Sequence, residues 1–479
     1  MRRIFLLTVI GAVSAASAVG AQMPAGTKPP TGSALRPYAT PTVETFTLAN
    51  GLKVLLVERH SLPIVSARFV VDAGAIREPA SKNGLAYLTA DLLSEGAGGL
   101  TGAQIAEKMA DLGASFGTSG NNSSAYVTVT SLPDVFTRAL TLGATTLTNP
   151  TLSEGDFERM RTTAIASYQQ GQSTVNGIAA KIFARSIYDP SVAYSRLSGG
   201  TAASLATITR EDIVNWHKTM YSPRNTTLIL IGDLTPAAAR AAAEKAVGNW
   251  TGNGPSLQPF MGKALPIQPN RVILVDRPGS VQSAIIVGQP TSGYGSPDLL
   301  PLIASSRVFG GAGSARLNMN LREKHGWTYG AFSSYSPQVG VGSYSMLSSV
   351  RSNATDSALS EAVREFRRIA TEPVPATELN DQVGSIIASF PSSVQTVQGL
   401  MGRLNDVVVY GLPLDYYSTY RERLAAVNSG DVSRVGASLL KPDGLTMVVV
   451  GDLKTIEAPI RALNIGAVEV WDNDGNKLR

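Results

Sequence analysis

The sequence predicts an α+β fold of two homologous halves, each an antiparallel sheet with helices packed on one face. Three observations carry this. Val57-Glu58-Arg59 returns as Val275-Asp276-Arg277 at an offset of 218 residues, and Leu230-Ile231-Gly232-Asp233-Leu234 returns as Val449-Val450-Gly451-Asp452-Leu453 at an offset of 219. Two matches that far apart in one register indicate an internal duplication. Apolar runs of strand length are also interspersed with segments of helical period, the pattern of a sheet layered with helices.

Composition fits such a fold and excludes several functions. A chain of 479 residues exceeds a single core, since domains hold about 100–200 residues. Hydrophobic residues at 43% and charged residues at 16% are those of an ordinary globular protein. The net charge of +5 is small for this length and no Lys/Arg run occurs, so no nucleic-acid partner is expected. Without Cys, the chain has no disulfide, no thiol nucleophile and no lipidated cysteine.

In order, residues 1–21 read as a signal peptide: Arg2-Arg3, an apolar run from Ile4 to Val19, and the small-residue site Val19-Gly20-Ala21. Export to the periplasm or beyond follows, with an uncleaved anchor as the alternative. Residues 22–41, rich in Pro, Gly, Thr and Ala, form a flexible leader. The N-terminal domain, 42–250, opens with a hairpin, Val43 to Ala49 and Leu52 to Glu58 around Asn50-Gly51. A strand over Pro63 to Ala73 and a helix over Asn83 to Ser94 follow. Thr101 and Gln104 form a capping box for a helix ending at Gly113. Ser123 to Thr130 alternates as a strand. Helical periods cover Pro133 to Thr146, Glu154 to Gln170, Ile178 to Ile187 and Arg210 to Met220, then a strand over Asn225 to Ile231 and a helix from Pro236 to Trp250. Four Pro and three Gly mark 251–270 as a linker to the C-terminal domain, 271–479.

Two stretches carry chemistry. The first is Gly84-Leu85-Ala86-Tyr87-Leu88-Thr89-Ala90-Asp91-Leu92-Leu93-Ser94-Glu95-Gly96. The second is the glycine-rich Gly310-Gly311-Ala312-Gly313-Ser314 with Leu317, Leu321-Arg322-Glu323-Lys324, Gly326 and Tyr329. Both resemble the pitrilysin/insulinase family of zinc metallopeptidases, over nearly the whole chain after residue 41. In that family the first stretch carries His-x-x-Glu-His, and here those positions read Tyr87, Ala90 and Asp91. Catalytic zinc needs imidazole or carboxylate ligands and a carboxylate to act as base on its water. A phenol is a poor ligand at neutral pH, and Ala90 can take no proton. The family's further Glu ligand is missing too, since no Glu lies between Arg159 and Arg210. No metal or other cofactor is therefore expected on this chain.

The resemblance implies two halves facing each other across a chamber, with Arg322 and Tyr329 binding the substrate carbonyl in concert with a related partner subunit that bears the zinc. Gly311, Gly313 and His325 become candidates for the chamber wall. Taken alone, Arg322 is a solvated helix-end residue, Tyr329 fills a sheet face, Tyr87 packs its helix, and the glycine run is a tight turn. The function expected is that of a non-catalytic subunit of a heterodimeric, exported zinc peptidase acting on peptide substrates. The alternatives are a structural or peptide-binding protein with no enzymatic partner, or a peptidase with an unrecognised metal site.

Overall fold

Of this chain, the computed structural model describes residues 39–252 and 254–479; the expected signal peptide 1–21 and residues 22–38 of the expected leader lie outside the described residues. The first half builds one sheet from β1 (Glu44–Thr47), β2 (Lys53–Glu58), β3 (Val65–Val71), β4 (Ser115–Gly120), β5 (Ala125–Ser131) and β6 (Thr226–Gly232). The second builds another from β7 (Arg271–Asp276), β8 (Gln282–Thr291), β9 (Thr328–Pro337), β10 (Gly342–Arg351), β11 (Thr446–Gly451) and β12 (Ala467–Trp471). Their orders are β1-β2-β6-β3-β5-β4 and β9-β10-β8-β11-β7-β12. Reversing one list superposes β2 on β7, β6 on β11, β3 on β8, β5 on β10 and β4 on β9.

The two sequence repeats are the same strand pair in each half. Glu58 lies opposite Gly232 and Asp276 opposite Gly451, both in parallel register. Arg59 N donates to Gly232 O at 2.8 Å, and Arg277 N to Gly451 O at 2.8 Å. Each sheet is thus mixed rather than wholly antiparallel, and the halves differ at one edge. There β1 joins β2 antiparallel through the expected Asn50-Gly51 turn, with Gly51 at φ +90°, whereas β12 arrives from the C-terminus and pairs parallel to β7.

Helices of its own half pack on one face of each sheet, as expected, but the second face is covered as well. The central strands are apolar on both faces, as in Leu228-Ile229-Leu230-Ile231 and Met447-Val448-Val449-Val450, and a strand of that kind must be covered twice. One face of each sheet packs on helices of its own half. The other is covered by a helix from the opposite half. Helix Val175–Ile187 lays Ile178 and Ile182 on Ile273, Val275, Ile286, Val448 and Val450. Helix Val397–Tyr410 lays Leu400, Met401 and Leu404 on Leu55, Val57, Val70, Ile229 and Ile231.

These exchanged helices are themselves repeats, Thr174-Val175-Asn176-Gly177 matching Thr396-Val397-Gln398-Gly399 at an offset of 222. Each Thr caps its helix by accepting from the Gly backbone N, at 3.1 and 3.0 Å. Each Gly allows close approach to the preceding long helix. A Cβ on Gly177 would fall 2.4 Å from Gly171 O, and one on Gly399 2.1 Å from Ser393 O.

Residues 251–270 contain no helix or extended strand among those described, yet they do not hang free. Leu265 N bonds to Ile187 O at 2.9 Å, and Gly262 N to Val339 O at 3.0 Å. Both halves and this connection line a cavity of about 640 Å³, with Val70, Asp72, Arg77, Phe260, Val339 and Tyr410 on its wall. None of the candidate site residues lines it. Among the described residues, no helix is long and apolar enough to cross a membrane.

Candidate functional site

Helix Leu85–Leu92 carries the first candidate cluster. It starts at Gly84, whose φ of +100° suits glycine, and no residue at that position caps it. Glu78 does so from outside. Its buried carboxylate accepts from Gly84 N at 3.0 Å, Ala86 N at 2.9 Å and Asn83 Nδ2 at 3.0 Å. Burial raises the Glu78 pKa despite those bonds, so the helix start rests on a desolvated acid.

Tyr87 and Asp91, four residues apart, share one face of this helix. With Met160, Ala164, Tyr168 and Leu197 they line a cavity of about 420 Å³. Burial, and secondarily the charge of Glu95, pushes the Asp91 carboxyl up to about 6. The Asp91 charge in turn, followed by burial, raises the Tyr87 phenol. Ala90 is fully buried against β4, where a Cβ on Gly120 would come within 3.1 Å of its methyl.

Zinc does not fit this face. A metal ligand must give up its proton, and both groups here hold theirs more tightly than usual. The position a general base would need is a packed methyl. Among the described residues no three His, Cys, Asp or Glu side chains come together as a metal cluster.

Asp91 also sets a pH dependence. Its folded pKa of about 6 lies above the ordinary 3.8. Its contribution therefore favours folding below about pH 4 and is lost as pH rises through 6. Asp91→Asn is expected to stabilise the chain at pH 7.5 by about 1–2 kcal/mol, after discounting for solvent around a partly exposed carboxyl, and to change nothing at pH 4. Urea unfolding at both pH values checks this, and equal effects at the two would refute it.

The second cluster sits where helix Leu299–Gly310 ends and β9 begins. Gly311 closes that helix, its N donating to Ser306 O and Arg307 O at 3.1 Å each, while Gly313 stands in open space. A short helix, Arg316–Asn318, then widens into a π-turn over Met319–Lys324, the kind of irregularity that gathers at functional sites. Its inner side is anchored by polar pairs. Arg316 donates in bidentate fashion to Glu378 at 2.8 and 2.7 Å, and Asn320 Nδ2 donates to Glu361 at 2.7 Å and Glu365 at 2.8 Å.

The outer side carries Arg322 and Tyr329. Arg322 is 51% exposed, and its guanidinium pairs with its neighbour Glu323 at 3.3 Å. Tyr329 is 90% exposed, and Phe332 and Leu347, opposite each other on β9 and β10, extend an exposed apolar strip beside it. His325 instead stacks on Trp327, with centroids 4.1 Å apart, and its buried Nε2 has no hydrogen-bond partner among the described residues.

A short bridge connects the clusters. Ser349 Oγ donates to Asn176 Oδ1 at 3.0 Å. Asn176 precedes Gly177 on the Tyr87–Asp91 cavity wall, and Ser349 precedes Val350, which pairs with Thr328 next to Tyr329. The anchors Glu78, Arg316 and Asn320 were not singled out from sequence.

Residues 53–189 match the family described as insulinase, peptidase family M16, and residues 207–384 match the peptidase M16 inactive domain. The chain belongs to the M16 peptidase family. It is an inactive-type member, consistent with the missing metal ligands. A Helicobacter pylori relative named non-peptidase homolog YmxG is 20% identical over 84% of this chain and 92% of its own. A Streptomyces coelicolor relative, named as an uncharacterized zinc protease, is 23% identical over 87% of this chain and 91% of its own. Among solved structures, the peptidase M16 inactive domain from Pseudomonas fluorescens has a TM-score of 0.79 at 26% identity, over 86% of this chain and 98% of that one. A protease from Helicobacter pylori has a TM-score of 0.77 at 18% identity, over 86% and 100%. These likenesses support the two-halved M16 architecture expected from sequence.

Proposed function

We propose that this M16 homologue is the non-catalytic subunit of an exported, two-chain zinc peptidase. A related His-x-x-Glu-His partner holds the zinc, and this chain contributes Arg322 and Tyr329 to the bound peptide. The observation that carries the reading is the contrast between the clusters. Tyr87, Ala90 and Asp91 have lost the donors for metal, while Arg322 and Tyr329 stand exposed on a segment fixed from behind by the Arg316–Glu378 and Asn320–Glu365 pairs. A guanidinium whose one ion pair is to the exposed Glu323, and an exposed phenol, can turn to a peptide carbonyl, whose oxygen gains charge as water attacks. Gly311, Gly313 and His325 border that segment rather than act in it.

Co-expression with the nearest related chain that keeps His-x-x-Glu-His tests the reading. Cleavage of an unfolded protein or oligopeptide is expected from the mixture alone, with zinc recovered in the partner. A mixture no more active than that partner by itself, or stoichiometric zinc and cleavage in this chain unaided, would overturn it.

A further inference from the structure

We propose that the Tyr87–Asp91 cavity is a receptor for an ammonium group on an aliphatic stem, a lysine side chain or the α-amine of a peptide, with Asp91 as its counter-ion. This inference concerns the isolated chain and does not rest on a peptidase partner.

The Asp91 carboxylate lines the cavity and makes no hydrogen bond or ion pair within the described chain. The nearby charges are already spoken for. Glu95 pairs with Arg159, which Asp156 also holds. Lys181, on the adjoining cavity, is engaged by Gln172, by Tyr168 at 3.3 Å and by Asp474 at 3.6 Å. Behind Asp91, the Tyr221 hydroxyl is also an orphan. Its residue is 4% exposed, it has no hydrogen-bond partner among the described residues, and burial, followed by the Asp91 charge, opposes its ionisation. The Tyr221 hydroxyl is a buried polar group without a partner, whereas the half-buried Asp91 carboxylate lacks a counter-ion among the described residues, which a cation in the cavity supplies.

The remaining wall selects the cation. Met160, Ala164 and Leu197 offer an apolar surface for a methylene stem, and Tyr87 adds an aromatic ring for an ammonium, the Tyr168 ring already carrying Lys181 at 5.4 Å. A bare metal ion would find one carboxylate and two protonated phenols. A volume of about 420 Å³ lies within the range of small-ligand sites.

Isothermal titration of the full chain with three peptides tests this: Ac-Ala-Ala-Lys-Ala-Ala-NH2, its norleucine counterpart, and that counterpart with a free N-terminus. At least one ammonium-bearing peptide is expected to bind about 10-fold tighter than the blocked norleucine peptide, a difference of about 1.4 kcal/mol. Asp91→Asn is expected to erase the advantage and Asp91→Glu to keep part of it. The lysine and free-amine arms tell a side-chain receptor from a terminal-amine receptor. In the wild-type chain, n-butylammonium should compete and n-butanol should not, a comparison that needs no variant. Equal binding of all three peptides, including no binding by any, or an advantage that survives in a folded Asp91→Asn chain, would overturn the inference.

Discussion

Arg322→Ala, assembled with a zinc-bearing partner, is expected to lower kcat/KM for peptide cleavage about 10²–10³-fold, the effect of removing one preorganised donor from a developing oxyanion. Tyr329→Phe should fall at the lower end of that range, since it keeps the ring and loses only the hydroxyl. Neither change should move the melting temperature of the isolated chain, because both side chains stand largely in solvent and Arg322 pairs with the equally exposed Glu323. Arg322→Lys separates charge from geometry. If the planar fork matters, lysine restores little of the lost rate. Activity within twofold of wild type in both Arg322→Ala and Tyr329→Phe assemblies would leave the chain a scaffold, and the structural or peptide-binding alternative would take precedence.

Met401→Ala is expected to destabilise the protein by about 2–4 kcal/mol, with Leu404→Ala close behind. Met401 is fully buried where helix Val397–Tyr410 of the second half lies on the first half's sheet. Truncation removes transfer free energy and leaves a cavity, and the residues facing it from the sheet are held by strands that cannot collapse inward. Gly399→Ala should act at the same place by the opposite means, forcing a methyl onto Ser393 O. Because the exchanged helices tie the halves together, the loss should appear as one cooperative transition shifted to lower denaturant. A variant that melts one half while the other keeps its wild-type midpoint would show that the exchange contributes little.

The sequence was legible where local chemistry has one solution. The Asn50-Gly51 turn, the Thr101–Gln104 capping box and the helix from Arg210 to Met220 lie where periodicity and turn residues put them. Strand β4 was not legible. Ser115-Phe116-Gly117-Thr118-Ser119-Gly120 has little apolar pattern because it is an edge strand, exposed at alternate residues, and its pairing with β5 decides its conformation. Likewise 251–270 carries the composition of a free linker, yet its contacts to Ile187 and Val339 hold it to the body.

What the sequence determined alone was the duplication, the α+β class and the loss of metal donors at Tyr87, Ala90 and Asp91. Residue identity and register are one-dimensional quantities, and a missing imidazole is missing in any conformation. Tertiary structure decided what covers the second face of each sheet, which side of the Arg322–Tyr329 segment meets solvent, and that Asp91 lines a cavity without a counter-ion among the described residues. These depend on which distant residues arrive at the same place, as when Leu400 and Met401 reach Ile229 and Ile231. Apolar burial is non-directional, so a strand's sequence states that both faces must be covered without naming the partner.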